Sequence, residues 1–433
     1  MILDRYHQAL GQMPRRLWSG RVSKAIAGLI ESVGPHCALG DCCLIRDHDG
    51  NTVEGQVVGF HGSTVLSMPL YPANGVRFGD TVSTGNVRPS IRVSSGMIGR
   101  VIDGRGKAID GGAPLLGGDV MPVVRAAPTP FERVPIKSAL GSGVRAIDAF
   151  LTCGQGQRIG IFGGSGVGKS TLMGMMARGT SADLTVVALI GERGREVREF
   201  LEDALGEAGR QRSVVVVSTS DQSPLLRLRA AQSAHSIAEY FAAQGKHVLL
   251  VLDSITRFAM AQREIGLAAG EPPTAKGYTP SVFTLLSQLV ERAGNFRTGS
   301  ITAFYTVLME GDDQMDPIVD AVRSLLDGHI LLDRRLSSEG HFPPIHLLDS
   351  LSRLMPAICS GEHLAKAQRL RRMLADYTRS EDLIRIGAYQ KGSDPDLDAA
   401  MQVMPNLRAF SCQGPTEIPR LERTIQSLLS IAE

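Results

Sequence analysis

A short apolar run, Arg158-Ile159-Gly160-Ile161-Phe162, opens into Gly163-Gly164-Ser165-Gly166-Val167-Gly168-Lys169-Ser170-Thr171, and an apolar-periodic stretch follows from Ser170 to Arg178. The loop has the spacing G-x-x-x-x-G-K-[ST], set between an expected strand and an expected helix, which is the context that gives the spacing its meaning. Glycines at 163, 164, 166 and 168 let the backbone turn tightly and aim successive N–H groups inward, making an anion cradle. A helix starting near Lys169 adds the positive end of its dipole. In such a loop the lysine reaches the β- and γ-phosphates, and the hydroxyl of Ser170 ligates Mg²⁺. The stretch therefore predicts binding of a nucleoside triphosphate.

The rest of the chain must build a scaffold for that loop. Its 433 residues suggest two to three domains. With 43% hydrophobic and 21% charged residues it has an ordinary globular composition. A net charge of +2 supplies no whole-molecule attraction to nucleic acid or to a membrane. Six cysteines, at 37, 42, 43, 153, 359 and 412, are too scattered for a disulfide scaffold and read as free thiols in a reducing cytoplasm. No apolar run approaches ~18 residues, so no transmembrane helix is expected, and the N-terminus lacks a signal peptide's apolar core.

In chain order, Ile2, Leu3, Tyr6, Ala9 and Leu10 share one helical face before Pro14. That helix could pack on its own domain or dock a partner helix, and residues 1–18 form this first segment. From 19 to 95, short β-branched runs (Arg21–Val33, Cys42–Arg46, Val53–Phe60, Thr64–Ser67) alternate with turn signals and predict a small barrel or sandwich. Residues 96–137 are rich in glycine and proline and read as a connector along a surface. From 138 to 354, apolar strands at Leu184–Ile190, Ser213–Ser218, His247–Asp253, Ser300–Tyr305 and His329–Leu332 alternate with helices at Val197–Leu205 and Pro224–Ala243. A polar turn, 191–196, separates the first of those strands from its helix. Strands apolar on both faces belong in a parallel sheet, so the fold class is α/β. Residues 355–433 read as helical, with stripes at Glu362–Ile386 and Leu421–Ile431.

Several residues could turn binding into hydrolysis. Asp253 closes an apolar strand, where phosphate-loop enzymes place an aspartate that holds Mg²⁺ through its hydration shell. Glu192 and Glu196 follow the strand after the phosphate-loop helix, and ligands bind beyond the carboxyl ends of such strands. Glu192, at the strand end, is the better candidate to orient or deprotonate the attacking water. Glu196 reads as the start of the next helix, with a weaker claim to a water-mediated metal contact. Arg193 could read the γ-phosphate. Arg353 could enter a neighbour's site if the protein forms a ring, and Phe342, stiffened by Pro343 and Pro344, could stack on a base. The loop Ala269–Pro280 reads as a surface loop, or as one lining the hole of a ring.

These pieces together resemble the export ATPases of bacterial type III secretion, relatives of the rotary ATP synthase catalytic subunit. The likeness lies in Thr152–Arg158, Gly163–Thr171, Ile190–Phe200, Ser300–Val307, Leu325–Ile330 and Ser350–Arg353, and it covers nearly the whole chain. It implies a β-barrel, a RecA-like phosphate-loop core and a helical C-terminal domain, assembled as a homohexamer with ATP sites between subunits. It further implies Glu192 as the catalytic acid, Lys169 and Ser170 as phosphate and Mg²⁺ contacts, Asp253 as the strand-end aspartate, Arg353 as the arginine acting in trans and Arg193 as a γ-phosphate contact. Phe342 stands where these proteins usually carry tyrosine, and no second stacking aromatic stands near Gly414-Pro415. The partners implied are a stator-like regulator at the N-terminal helix, a central stalk, export substrates with their chaperones, and a membrane export gate, with the protein cytoplasmic and peripheral to the inner membrane. Met260–Ile265, Gly270–Pro273 and Gly387–Pro395 resemble the flagellar branch more than the injectisome branch. A translocase on nucleic acid is the competing class, and no module pairing basic residues with stacking aromatics is present to support it.

Overall fold

The computed structural model describes residues 17–26, 28–309, 311, 313 and 315–432; the expected N-terminal helix of residues 2–12 lies outside them. Six strands, β1 (Trp18–Ile26), β2 (Leu29–Val33), β3 (Cys42–Arg46), β4 (Thr52–His61), β5 (Thr64–Pro69) and β6 (Thr81–Thr84), close into a barrel in the order β1-β2-β5-β4-β3-β6. Alternating burial puts Val22, Ile30, Cys43, Ile45 and Val82 inside it. The run Arg21–Val33, read as one strand, is a hairpin that turns at Gly28, whose φ of 86° suits glycine alone.

After the barrel, β7 (Ser90–Val93) pairs with β9 (Asp119–Pro122), and between them β8 (Val101–Asp103) leaves to join the central sheet. The connector is thus stitched into the core, because Val101 and Ile102 are buried there as the edge strand.

Among the described residues the central sheet has nine strands, eight in one row and a two-residue strand, Gly294–Asn295, paired beside Ser300–Leu308. Its main elements are β10 (Arg158–Gly163), β11 (Leu184–Glu192), β12 (Ser213–Thr219), β13 (His247–Asp253), β14 (Ser300–Leu308), β15 (Gly328–Leu331) and β16 (Leu351–Ser352), in the order β16-β15-β10-β14-β13-β11-β12-β8. All neighbours in that row run parallel except β16, which turns back on β15. Every residue of β11 but the last is buried, as a strand covered on both faces requires. One face packs on α4 (Pro224–Ala243) and α5 (Ile255–Ala268). The other packs on α1 (Arg145–Phe150), α2 (Lys169–Gly179) and the C-terminal helices.

The polar turn expected at 191–196 is shorter than the sequence suggests. β11 runs on through Gly191 to Glu192, and α3 begins at Gly194 and continues through a π-helical stretch, Phe200–Leu205, to Gln211. The C-terminal part comprises α6 (Gly361–Arg385), α7 (Pro395–Ser411) and α8 (Leu421–Leu429). Among the described residues, no helix is long and apolar enough to cross a membrane.

Candidate active site

The carboxyl ends of four adjacent strands bring the site together. β10 delivers the phosphate loop, β14 delivers Thr306 and Leu308, β13 ends in Asp253, and β11 ends in Glu192. The loop turns into α2 through Gly166 (φ 77°) and Gly168 (φ 97°), a backbone that side chains with a Cβ rarely adopt. Beyond it lies a cavity of about 600 Å³ lined by Ser165, Gly166, Lys169, Ser170, Glu192 and Asp253, with Gly168, Thr171 and Glu196 also on its wall. Lys169 is only 7% exposed. Its ammonium donates to the Gly163 carbonyl at 3.0 Å and to that of Gly164, so the cation is fixed at the mouth of the cradle. Val167 is buried under the loop, and its methyl lies against Gly163, where a Cβ would stand 3.0 Å from it.

Glu192 owes its position to its neighbour. The pairing of β11 with β12 slips between Ile190 and Glu192, a bulge at Gly191 (φ 71°) that re-aims the next side chain. A Cβ on Gly191 would sit 3.0 Å from Cβ of Arg257, so the close passage of that arginine also requires glycine here. Burial, the negative charge of Asp253 and a hydrogen bond shared with Glu196 push the Glu192 carboxyl up to about 8, while Arg257 pulls the other way. Glu196, in the first turn of α3, is correspondingly held below the ordinary range by that shared bond. Asp253 is 5% exposed; burial raises it, against the Thr306 hydroxyl, which donates to its Oδ1 at 2.5 Å, and the charges of Lys169 and Arg257.

These shifts have a consequence for stability. In the empty site the folded Glu192 keeps its proton to about pH 8, whereas an unperturbed glutamate loses it near 4.5. The folded state therefore binds more protons between those values, and stability falls as pH rises through that window. Glu192→Gln removes the effect, so nucleotide-free Glu192→Gln should melt above the wild type by about 1–3 °C at pH 8.5 and by no more at pH 5 than the amide itself causes. Solvent screening at this half-buried site holds the difference to the order of 1 kcal/mol. Scanning calorimetry at the two pH values checks it.

Arg193 is largely exposed and sits 3.6 Å from Glu196, on the wall of an adjoining cavity that it shares with Glu192, Arg257 and Arg334. Arg257 escaped the sequence reading. Its signal is its place in the first turn of α5, four residues after the strand-ending Asp253. Thr306 also escaped, being one more apolar-strand residue until β14 is seen to run beside β13.

Phe342 (45% exposed) and Gly414-Pro415 face one cavity of about 560 Å³ that opens beside Gly168 and Thr171. Phe342, the residue expected to stack on a base, therefore meets the Gly414-Pro415 segment, where no second stacking aromatic stands. Arg353 does not join the group. Its backbone N–H donates to the Asp327 carbonyl at 3.0 Å, and Asp327 in turn pairs with Arg158 at the first residue of β10. That is the amino end of the sheet, separated from the phosphate loop by the six residues of β10, about 17 Å of strand and more than an arginine side chain spans.

A phosphate loop on a parallel sheet, with a strand-end aspartate and a raised glutamate beyond the strands' carboxyl ends, defines an ATPase with a RecA-like core, here set between a barrel and a helical domain. Residues 143–352 match the nucleotide-binding domain of the ATP synthase alpha/beta family, and residues 359–430 match the C-terminal domain of the type III secretion ATPase EscN. The flagellum-specific ATP synthase of Bacillus subtilis is 51% identical over 95% of this chain and 94% of its own length. The assembled ATPase EscN of enteropathogenic E. coli superposes with a TM-score of 0.90 at 43% identity, covering 95% of this chain and 99% of that one. EscN in complex with its central stalk EscO gives 0.88 at 42% over the same shares. The chain belongs to the ATP synthase alpha/beta family, in the group that contains the flagellum-specific ATP synthases and the type III secretion ATPases.

Proposed function

We propose that this chain is the Mg-ATP-hydrolysing subunit of a homohexameric motor that energises protein export through a type III secretion apparatus of the flagellar branch. The observation that carries the chemical part is the convergence of Lys169, Ser170, Glu192 and Asp253 on one cavity. The phosphate-loop amides, Lys169 and Arg193 bind and orient the phosphates. Glu192, raised to about 8 in the empty site rather than near 4.5, is a stronger base than an ordinary glutamate, and in its ionised form it accepts the proton of the attacking water. Phe342 takes the face of the adenine.

The donor set suits Mg²⁺ arriving with its nucleotide. Among the described residues no cluster of three or more His, Cys, Asp or Glu could hold a metal alone. The hydroxyl of Ser170 would be one ligand, and buried Asp253 and, more remotely, Glu196 would hold the ion through water, as an ion bound mainly by phosphates and water requires. The ion would offset charge on the phosphate oxygens.

Arg353, at the far end of its own sheet, completes the site of the next subunit in the ring. The assembled state of EscN and its complex with a central stalk support a ring and a stalk partner for this chain. A stator-like regulator at the N-terminal segment, export substrates with their chaperones and a peripheral position at the membrane export gate, on the cytoplasmic side, belong to the same reading. The high identity to a flagellum-specific relative favours flagellar export, while the likeness to EscN keeps secretion through an injectisome as a second reading. Deleting the gene should abolish swimming and external filaments. A deletion strain that swims normally but no longer secretes effector proteins would transfer the assignment to the injectisome.

A further inference from the structure

The cavity beside Phe342 has two walls from distant parts of the chain. Phe342-Pro343-Pro344 forms one and the segment Cys412–Pro415, with Glu417, forms the other, over a floor of Thr171, Leu172 and Met175. The second wall lies in the irregular stretch between α7 and α8 and has no regular structure to hold it. Side chains from outside the cavity hold it instead, and most of the bonds come from one of them. Arg145, the first residue of α1, donates from its backbone N–H to Gln413 Oε1 at 2.8 Å, from Nε to the Phe410 carbonyl at 2.8 Å, from Nη2 to the Cys412 carbonyl at 2.6 Å and from Nη1 to Glu417 Oε2 at 2.6 Å. The bonds spread from there. Glu417 Oε1 accepts from the Gly414 N–H at 2.8 Å, and the Gln413 amide donates to the carbonyls of Gly143 at 2.8 Å and Glu417 at 3.0 Å. The Gln413 backbone N–H reaches across to the Phe342 carbonyl at 2.7 Å and joins the two walls. Arg178, in the last turn of α2, bonds the Pro415 carbonyl.

Resting on the reading of this cavity as the base site, we propose that Arg145 is a positioning residue for the nucleobase. It fixes the Cys412–Pro415 wall at the distance from the Phe342 ring that a flat base fills. Only arginine meets the geometry, because three acceptors lie in different directions and its planar fork presents five donors at once. Two of those acceptors belong to the end of α7, where helix carbonyls lack partners of their own and a cation is favourable. α1 leads through residues 151–157 into β10, so the base wall and the phosphate cradle are referred to one rigid unit. The base is held by the wall and the phosphates by the loop, and the two affinities should separate.

The test uses the full-length assembled protein as Arg145→Ala, Arg145→Lys and Phe342→Ala, with KM and kcat for ATP and the inhibition constant of inorganic tripolyphosphate, which carries phosphates and no base. Arg145→Ala should raise KM about tenfold with kcat within about twofold, the pattern of lost uniform binding of a stacked base. Tripolyphosphate should inhibit it as it does the wild type, and Arg145→Lys should fall between. Melting curves on the lysine variant keep the test open if the alanine variant fails to fold. An unchanged KM in both Arg145 variants, or a parallel loss of tripolyphosphate affinity, overturns the proposal. If Phe342→Ala raises KM while the Arg145 variants do not, only the positioning role falls. An unchanged KM in Phe342→Ala removes the base site itself, and the proposal with it.

Discussion

Glu192→Gln is expected to bind Mg-ATP within about threefold of the wild-type affinity and to hydrolyse it about 10³-fold more slowly, the range that general-base removal gives. The amide is nearly isosteric with the carboxylic acid, so the half-buried site keeps its shape and its hydrogen bond toward Glu196. It cannot accept a proton from water. Burial and the charge of Asp253 both raise the Glu192 carboxyl, to about 8, which makes it a stronger base than an ordinary glutamate. Glu196 is driven the opposite way, so it is a poor replacement. Equilibrium nucleotide binding together with single-turnover hydrolysis separates the two effects. Turnover within tenfold of wild type would take the catalytic role from Glu192, and loss of binding would make the residue structural.

Arg353→Ala carries the second large effect, a fall of about 10³-fold in turnover with nucleotide binding to each subunit retained, as for other arginines that stabilise a transferring phosphoryl group from across an interface. Position is the reason. Arg353 is anchored through Asp327 to the amino end of β10, and the phosphate loop begins at that strand's other end. Within one subunit it has no route to the site; in the proposed ring, where one surface would meet a different surface of the next copy, it would have one. The variant should also lose the rise of specific activity with protein concentration that ring formation gives the wild type. A variant that keeps that rise with full turnover would show that the site needs no arginine from a neighbour.

Much of this site could be read in the sequence, for identifiable reasons. The loop Gly163–Thr171 was legible because its glycines answer a backbone demand that few other residues meet. The strands His247–Asp253 and Ser213–Thr219 and the helix Pro224–Ala243 lie where apolar runs and a proline at the helix start put them. What escaped depends on neighbours in space. The bulge at Gly191 that aims Glu192 shows only once β11 is paired with β12. Thr306 becomes a partner of Asp253 only through the order of the sheet, with β14 inserted between β10 and β13. The edge strand Val101–Asp103 is three residues long, too short for any period, and was absorbed into a glycine-rich connector. α7 was passed over within a tail read as helical, although Asp394 and Pro395 mark its start and it continues past Pro405. Arg145 carries no local signal at all, since its acceptors lie more than 260 residues away in the chain.

Glu192 and Lys169 of one subunit should form one composite site with Arg353 of the next, and mixing subunits reads this out. Arg353→Ala and Lys169→Ala proteins should each be almost inactive alone. Mixed in equal amounts and allowed to reassemble, they should recover about a quarter of wild-type activity, because random assembly sets an intact phosphate loop against an intact Arg353 at one interface in about four. Activity of the mixture no greater than that of the two variants measured separately would show that no site is shared between subunits.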